Sequence, residues 1–381
     1  MDAAGRELWT CAQQGRVAEV EKKAAHCTRR NVWKAAAVAV WNDEAGAVEA
    51  LLRNEPTLAL RTGRDDATLL QCAAFHGSIE TAKVLLRAGA SLNYRSARLS
   101  TAVARAAEAG HVPMVQLLLL ASADVTVTHD GKHTPLSKAA DHGPRAAVKY
   151  GHLAVLQALL AAKISANLRT PHGQPPLWWS AHRNCSAATQ LLLDAKADVN
   201  GAGRCSPVGA AAAHNHVNVL RMLLSAKADV DATDPLGYTP IACAAHRGQR
   251  DAVEILLEAR ANVNQRDHNG RTPIFFAAQG NCAHVVRQLA GGGADVDIAD
   301  NSGTTPLQVA EQRGNSACVH ALRGSAVSMR SSSGSLGDRG DRHGNAPRGY
   351  VLCGSAVSMR SSSGSLGDRG DRGDRGDRGD W

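Results

Sequence analysis

One short block recurs through most of the chain at an almost constant spacing, and this repetition restricts the possible folds more than any other feature. The eight copies resemble T-P-L-x-x-A-A and begin at Thr68, Thr101, Thr134, Pro175, Ser206, Thr239, Thr272 and Thr305. Successive starts lie 33, 33, 41, 31, 33, 33 and 33 residues apart. A period of this length is typical of a solenoid in which one small structural unit stacks on the next.

Each unit predicts two helices and a turn. A Thr or Ser ahead of the block can accept a hydrogen bond from an unpaired backbone N–H, and the Pro that follows suits the first helical position. Gly77, Gly248 and Gly314 can adopt the left-handed conformation that ends this first helix. A V-x-x-L-L pattern with helical spacing comes next. Asp-x-x-Gly, as at 234–237, then predicts a tight turn that projects as a finger.

The T-P-L-x-x-A-A block, the V-x-x-L-L helix and the A-D-V-N-like segment that follows (AKADVN at 195–200) resemble the ankyrin repeat family. The resemblance covers roughly residues 5–322. It implies an all-α repeat solenoid of about ten stacked helix-turn-helix units with β-turn fingers. We predict degenerate N-terminal capping repeats at 1–62 and the main array at 63–322, with an insertion near 143–150. A Gly/Ser/Arg/Asp low-complexity tail at 323–381 completes the chain.

One position departs from the family pattern in every copy. The family's usual T-P-L-H carries a His that joins hydrogen bonds between repeats. Here that His is replaced by Gln71, Ala104, Ser137, Trp178, Gly209, Ala242, Phe275 and Gln308. Because these hydrogen bonds between repeats are missing, we do not expect the stability of an ideal ankyrin array. The predicted fold is unaffected.

Composition and charge narrow the possible partners. Phe, Trp and Tyr make up only 3 % of the residues, so the core is expected to consist of Ala, Leu and Val in closely packed helices. The net charge is +8, of which the tail contributes +3 from ten Arg and seven Asp. No block of Lys and Arg forms the footprint of a nucleic-acid binder, whereas an acidic partner is compatible with this balance.

The cysteines and the N-terminus favour an intracellular protein. Nine cysteines are scattered without a C-x-x-C pair, which indicates reduced thiols that act as small buried hydrophobes rather than metal ligands. The chain opens without a signal-peptide pattern, and its longest apolar runs are too short to cross a bilayer. We therefore expect a soluble cytoplasmic or nuclear protein without metal or cofactor.

Candidate binding residues follow from the resemblance. In the ankyrin family, partners usually lie along the concave face formed by the fingers and the first helices. Two positions just before the helix-ending Gly commonly face that groove. They imply the following groove residues: His76, His142, His182, Arg183, His214, His246, Arg247 and Arg313.

Two interpretations of these His and Arg residues remain open. They can be ordinary solvated helix ends, where cations suit the negative end of the helix dipole. Alternatively, they form a groove for an acidic or phosphorylated segment, with affinity that rises as the pH falls towards 6.

The finger tips provide a second candidate surface, namely Leu236, Tyr238, His268, Asn269 and Arg271. Their variation from repeat to repeat is compatible with recognition. Trp178 and Trp179, beside the insertion, are a candidate hot spot, although Trp179 also fits a role in filling the core.

The sequence contains no signature of catalysis. A Gly-rich phosphate loop, a nucleophile elbow and H-E-x-x-H are all missing from it. The sixteen histidines recur because the repeat recurs, and we expect them to be spread along an elongated array rather than to converge on a pocket. The sequence therefore predicts a binding protein and not an enzyme.

The tail contains the segment GSAVSMRSSSGSLGDRGDR twice, at 324–342 and 354–372. Its composition predicts disorder, because it cannot bury enough apolar surface to offset the entropy of ordering. Its RGD triplets arise in any tandem G-D-R expansion, so they do not by themselves indicate integrin recognition. Its arginines are nearly matched in number by aspartates, which weakens the case for nucleic-acid binding. The serine runs that follow an Arg are candidate phosphorylation sites: Ser331, Ser332, Ser333, Ser361, Ser362 and Ser363.

These observations favour a monomeric intracellular scaffold or adaptor that holds a segment of a partner protein in the groove. A substrate-targeting subunit of a ubiquitin ligase or phosphatase complex is the alternative from another functional class. Adhesion through RGD would require a secretory route that the N-terminus does not indicate. No small-molecule substrate and no membrane insertion are expected.

Overall fold

The computed structural model describes residues 2–63, 66–96, 100–127, 133–149, 151–201 and 206–333. These ranges form helices and turns, and Thr62 and Thr68 form an isolated antiparallel bridge. The helices occur as ten successive pairs: α1 (Ala3–Gln13) with α2 (Val17–Ala24), α3 (Arg29–Trp41) with α4 (Ala45–Asn54), α5 (Leu69–His76) with α6 (Ile79–Arg87), α7 (Ala102–Ala109) with α8 (Val112–Leu120), α9 (Pro135–Ala140) and the short α10 (Pro144–Lys149) with α11 (His152–Ala161), α12 (Pro176–His182) with α13 (Ser186–Asp194), α14 (Pro207–Ala213) with α15 (Val217–Ser225), α16 (Pro240–His246) with α17 (Arg250–Glu258), α18 (Pro273–Gln279) with α19 (Ala283–Gly291), and α20 (Pro306–Gln312) with α21 (Ser316–Ser333). A 3-10 helix at Pro56–Leu60 follows α4.

The helices form two layers. The first helix of each pair contacts the first helix of the next, as α5 contacts α7 and α14 contacts α16. The second helices form a parallel series, in which α4 contacts α6 and α15 contacts α17. We call these layers the inner and the outer helices. This arrangement is the predicted all-α solenoid, and the number of pairs agrees with the predicted ten units.

Most inner helices begin at the predicted Thr or Ser. The hydroxyl of Thr68 accepts a hydrogen bond from the backbone N–H of Gln71, and Thr239 does the same for Ala242. Pro occupies the first turn of the later inner helices, where its missing N–H would have had no helical partner. Thr272 also precedes its helix, α18, but it does not form this capping bond. Its buried hydroxyl has no hydrogen-bond partner among the described residues.

The predicted glycines end their inner helices. Gly77, Gly248 and Gly314 have φ angles of 77°, 70° and 71°, as the prediction requires. In three other repeats an asparagine occupies the equivalent position: Asn184, Asn215 and Asn281, with φ angles of 58°, 57° and 58°. Asn tolerates the left-handed region better than most residues, so the unit keeps its shape where the Gly is missing.

The Asp-x-x-Gly fingers form the predicted turns. The carboxylate of Asp234 accepts hydrogen bonds from the backbone N–H groups of Leu236 and Tyr238, both at 2.8 Å. Neighbouring fingers are joined through their main chains, for example from the N–H of His268 to the carbonyl of Leu236 at 3.2 Å. The fingers therefore form a continuous edge in this part of the array.

The core lies between the two layers and consists mainly of Ala, Leu and Val. Ala pairs of the inner helices, such as Ala73–Ala74 and Ala244–Ala245, are fully buried. Their small side chains let the neighbouring helices approach closely, as the composition predicts. Phe276 is the largest fully buried side chain.

The lost T-P-L-H histidine has a substitute in one repeat. Gln71 accepts from the N–H of Thr68 and donates to the carbonyls of Tyr94 and Ser100 at 2.9 and 2.7 Å. It therefore completes a capping box and also bonds to the next repeat. The side chains of Ser137 and Gln308 complete capping boxes as well.

Two features add detail to the predicted boundaries. The insertion near 143–150 contains the short helix α10, which packs against α11. The last helix, α21, continues to Ser333, so residues 323–333, which we assigned to the tail, are helical. Residues 334–381 lie outside the described residues.

Candidate functional site

Each inner helix presents one face that its neighbours do not cover. In α5 this face comprises half-buried Cys72 and exposed Phe75 and His76, with the i, i+3, i+4 spacing of one helix side. We define the groove row as the two residues before the turn to the outer helix in each repeat from the second onwards. Its members are Trp41–Asn42, Phe75–His76, Glu108–Ala109, Asp141–His142, His182–Arg183, Ala213–His214, His246–Arg247, Gln279–Gly280 and Gln312–Arg313.

All eight predicted groove residues lie in this row. His76, Arg183, His246, Arg247 and Arg313 are exposed. The remaining three, His142, His182 and His214, are half-buried. Residues that are 31 to 41 positions apart in sequence are thus brought side by side by repeat stacking.

The centre of the groove row forms an open cleft of about 680 Å³ at the ends of α9, α12 and α14. It is lined by Lys138, Asp141, His142, Gly143, His182, Arg183, His214 and His216. The rings of His182 and His214 are 4.6 Å apart, and those of His214 and His216 are 5.5 Å apart. On the side of the insertion, His142 stacks on His152 with centroids 3.5 Å apart. Several histidines therefore share one place, whereas we expected the histidines to be spread along the array rather than to converge on a pocket.

Burial disfavours the charged form of four histidines in the groove row. It lowers the pKa of His142 and of His182 to about 4, and in each case a neighbouring histidine lowers the pKa further. Burial also lowers the pKa of His76 and His246 below 6.5. A base with a lowered pKa gains its proton only in more acidic solution. His142 and His182, whose pKa values lie well below this range, therefore argue against the expected rise in affinity between pH 8 and 6.

The cationic residues of the row differ in their surroundings. The Nε of Arg183 donates to the Oδ1 of Asp141 at 2.8 Å, so its charge is balanced within the protein. The Nη1 of Arg247 lies 3.2 Å from the Nε2 of His214, and Arg313 is exposed. Neither arginine has a carboxylate within 4.0 Å among the described residues. Burial is the main cause of the lowered pKa of His246, and the nearby Arg247, Arg271 and Arg313 lower it further.

The predicted finger residues divide into two groups. Leu236 is 62 % exposed, and His268 and Asn269 are exposed as well. Arg271 instead donates to Asp267 Oδ2 at 2.7 Å and to the hydroxyl of Tyr238 at 2.9 Å. Its guanidinium also lies 4.8 Å from the ring centroid of Phe276. Tyr238 and Arg271 are thus half-buried, and their polar groups join two repeats internally.

Trp178 and Trp179 lie on α12, the helix that carries His182 of the cleft. Both are half-buried, and they meet edge to face with centroids 4.9 Å apart. Trp178 also stacks on His182, and Trp179 contacts the core, as one of our two interpretations of that residue expected. Their buried indole nitrogens have no hydrogen-bond partner.

A second set of four histidines was not predicted from the sequence. In each of them, Nε2 lies 2.8 to 3.0 Å from a backbone carbonyl at or just beyond the end of the inner helix of the preceding repeat. The four are His111, His152, His216 and His284. These carbonyls have no partner within their own helix. The dipeptides Gly110–His111 and Gly151–His152 were the available signal. These histidines act as bonds between repeats.

Of the candidate phosphorylation sites, Ser331, Ser332 and Ser333 lie in the last turn of α21. Ser361, Ser362 and Ser363 lie outside the described residues. In the parts of the chain that the structure describes, no set of three His, Cys, Asp or Glu residues could hold a metal ion. The same parts contain no helix with the length and apolarity needed to span a bilayer.

Profiles of known protein families match several parts of this chain. A family profile described as ankyrin repeats (3 copies) matches residues 145–234, 201–267 and 241–331, and a second, ankyrin repeats (many copies), matches 69–119. The chain belongs to the ankyrin repeat family. Its repeats therefore indicate a protein-protein interaction domain.

Two curated relatives carry ankyrin repeats. The ankyrin repeat and KH domain-containing protein mask-1 of Caenorhabditis elegans is 26 % identical over 161 residues, which is 42 % of this chain and 6 % of that protein. An ankyrin repeat and KH domain-containing protein of Caenorhabditis briggsae is 29 % identical over 170 residues, or 44 % of this chain and 6 % of that protein. The similarity thus spans only a small part of either relative.

Proposed function

We propose that this ankyrin array is an interaction scaffold that binds an acidic segment of a partner protein along its inner helices. Arg247 and Arg313 are the principal anion contacts in this proposal. The observation that carries it is the contrast between these two arginines and Arg183. The charge of Arg183 is already balanced by Asp141 at 2.8 Å, whereas Arg247 and Arg313 have no carboxylate within 4.0 Å in the part of the chain that the structure describes.

The surroundings of His246 support this assignment. Arg247 and Arg313 belong to different repeats, yet both lower the pKa of His246, together with Arg271. Arg247 and Arg313 therefore act on the same histidine from two different repeats. A carboxylate or phosphate placed beside them gains charge-assisted hydrogen bonds, which are stronger than neutral ones.

Repeat stacking supports an extended ligand. The groove row continues from one inner helix to the next, so a segment laid along it meets a new pair of side chains at each helix. Scaffold binding without catalysis also fits the histidines, since four of them are engaged with backbone carbonyls at separate repeat junctions.

Matched peptides test the proposal. A fluorescent Glu-rich peptide and the same peptide with every Glu replaced by Gln would be titrated into the protein. We expect the acidic peptide to bind more tightly, and its affinity to fall as salt is raised. Hydrogen exchange should slow at the ends of α16 and α20, and outer helices α15 and α17 should be unaffected. Equal binding of both peptides would refute the proposal.

A further inference from the structure

Exposed aromatic side chains collect at the N-terminal end of the groove row. Trp41 and Phe75 occupy the same position in consecutive repeats and are 63 % and 38 % exposed. The imidazole of His76 stacks on Trp41 with centroids 4.8 Å apart and meets Phe75 edge to face at 5.2 Å. We call Trp41, Phe75 and His76 the aromatic cluster. Large apolar side chains that adjoin one another on a surface commonly mark a binding site.

The aromatic cluster is close to neutral. Burial lowers the pKa of His76, so this imidazole is uncharged at pH 7. The guanidinium carbon of Arg105 lies 5.6 Å from the ring centroid of Phe75. Its Nη1 is also 4.0 Å from Glu108 Oε2, with which it forms an ion pair. The cluster therefore offers apolar contact rather than a charged one.

Charged side chains in the middle of the groove row form ion pairs with one another. Glu108 contacts Lys138 at 3.5 Å as well as Arg105, and Asp141 contacts Arg183 at 2.8 Å. Beyond this stretch come Arg247 and Arg313. The row thus has an aromatic zone, a zone of internal ion pairs and a basic zone, in chain order.

We propose that the aromatic cluster is an anchor subsite for one large apolar side chain of the same acidic segment. This inference rests on the proposed function, since the basic zone holds the acidic part of that segment. Charge favours an apolar occupant over a cationic one, because Arg105 already covers Phe75. A Trp, Phe or Leu laid against Trp41 would bury apolar surface of both partners.

The geometry sets the length of the segment. Five inner-helix steps separate α5 from α16. At about 8 to 10 Å for each step, the two zones lie about 40 to 50 Å apart. An extended chain covers about 3.3 to 3.6 Å for each residue, so about 12 to 15 residues separate the apolar anchor from the acidic part.

A peptide series tests the anchor. Each peptide carries the same Glu-rich stretch and, about 13 residues away, Trp, Ala or Lys. Because the direction of the bound chain is open, the anchor is placed before the stretch in one set and after it in another. With the full-length protein, we expect the Trp peptide of one set to bind about ten-fold more tightly than its Ala counterpart. The Lys peptide should show no such gain.

Matched variants locate the effect. Trp41→Ala and, separately, Phe75→Ala should abolish the gain of the Trp peptide while leaving the affinity of the Ala peptide unchanged. Leu120→Ala removes a side chain that is 86 % exposed on the outer helix α8 and should leave the gain intact. Circular dichroism checks that each variant is folded.

The outcomes separate this inference from the proposed function. If the Ala peptide binds but Trp adds nothing in either set, or if the gain survives Trp41→Ala and Phe75→Ala, the anchor is refuted and the acidic site stands. A Lys peptide that equals the Trp peptide would show a cation site and would also refute the anchor. If no acidic peptide binds, both proposals fail.

Discussion

Acid should destabilise this array well before its carboxylates are protonated, and His142 and His182 should cause much of the effect. Burial lowers the pKa of both to about 4 in the folded protein. In the unfolded chain, each returns to the ordinary value near 6.5. Between these two pH values the unfolded state binds protons that the folded state does not. The free energy of unfolding must therefore fall as the pH drops from about 6.5 to about 4, and it levels off below that.

The size of the effect follows from this difference. Each histidine contributes a slope of up to about 1.4 kcal/mol for each pH unit. Between pH 7 and 5 this amounts to nearly 2 kcal/mol for each group, or roughly 3 to 4 kcal/mol for the pair. Both side chains are half-buried, so we take this figure as the upper end and about 2 kcal/mol as the lower. Such a loss is a large part of the stability of an ordinary domain.

Urea denaturation at pH 7 and pH 5 measures the effect. The wild type is compared with the double variant His142→Gln/His182→Gln, and circular dichroism and tryptophan fluorescence must give the same transition. We expect the variant to lose most of the pH dependence, with a remainder from His76, His216 and His246.

The control replaces two exposed finger histidines, as His172→Gln/His268→Gln. It should keep the full pH dependence. The reasoning is refuted if wild type and double variant lose the same stability between pH 7 and 5, or if the control variant loses the pH dependence.

Two further predictions concern contacts between repeats. His216→Ala leaves a helix-end carbonyl without its partner at 3.0 Å and should cost about 1 to 2 kcal/mol in urea denaturation, whereas His172→Ala should cost less than about 0.5. Arg271→Ala leaves the buried carboxylate of Asp267 without its cation and should cost about 2 to 3 kcal/mol, whereas Leu236→Ala on the neighbouring finger should change stability by less than about 0.5; equal losses would contradict the internal role of the arginine.

The fold could be predicted because its signals are local. A Thr that caps a helix, a Gly that ends it and an Asp that closes a turn each act within four residues. The 33-residue period then placed these units in register. Two details lacked such a signal: the helix within the insertion, and the continuation of α21 to Ser333.

The site could be predicted only in part, because its partners come from different repeats. The register assigns Arg183 and Arg247 to equivalent positions of their repeats. It could not show that Asp141, 42 residues away, balances Arg183, or that Tyr238 is held by Arg271, 33 residues away. Such pairs depend on which side chains happen to face each other after stacking. Exposure of Trp41 likewise became evident only with the neighbouring helix in place.

The affinity of one acidic peptide for two arginine variants tests the central claim most directly. Fluorescence anisotropy would compare the wild type, Arg247→Ala/Arg313→Ala, and the control Arg87→Ala/Arg287→Ala, which removes the same charge from exposed positions of α6 and α19. We predict that the groove variant binds about ten-fold or more weakly with a flatter salt dependence, and that the control changes little. Equal affinities of the two variants would contradict the assignment of the acidic site to the inner helices.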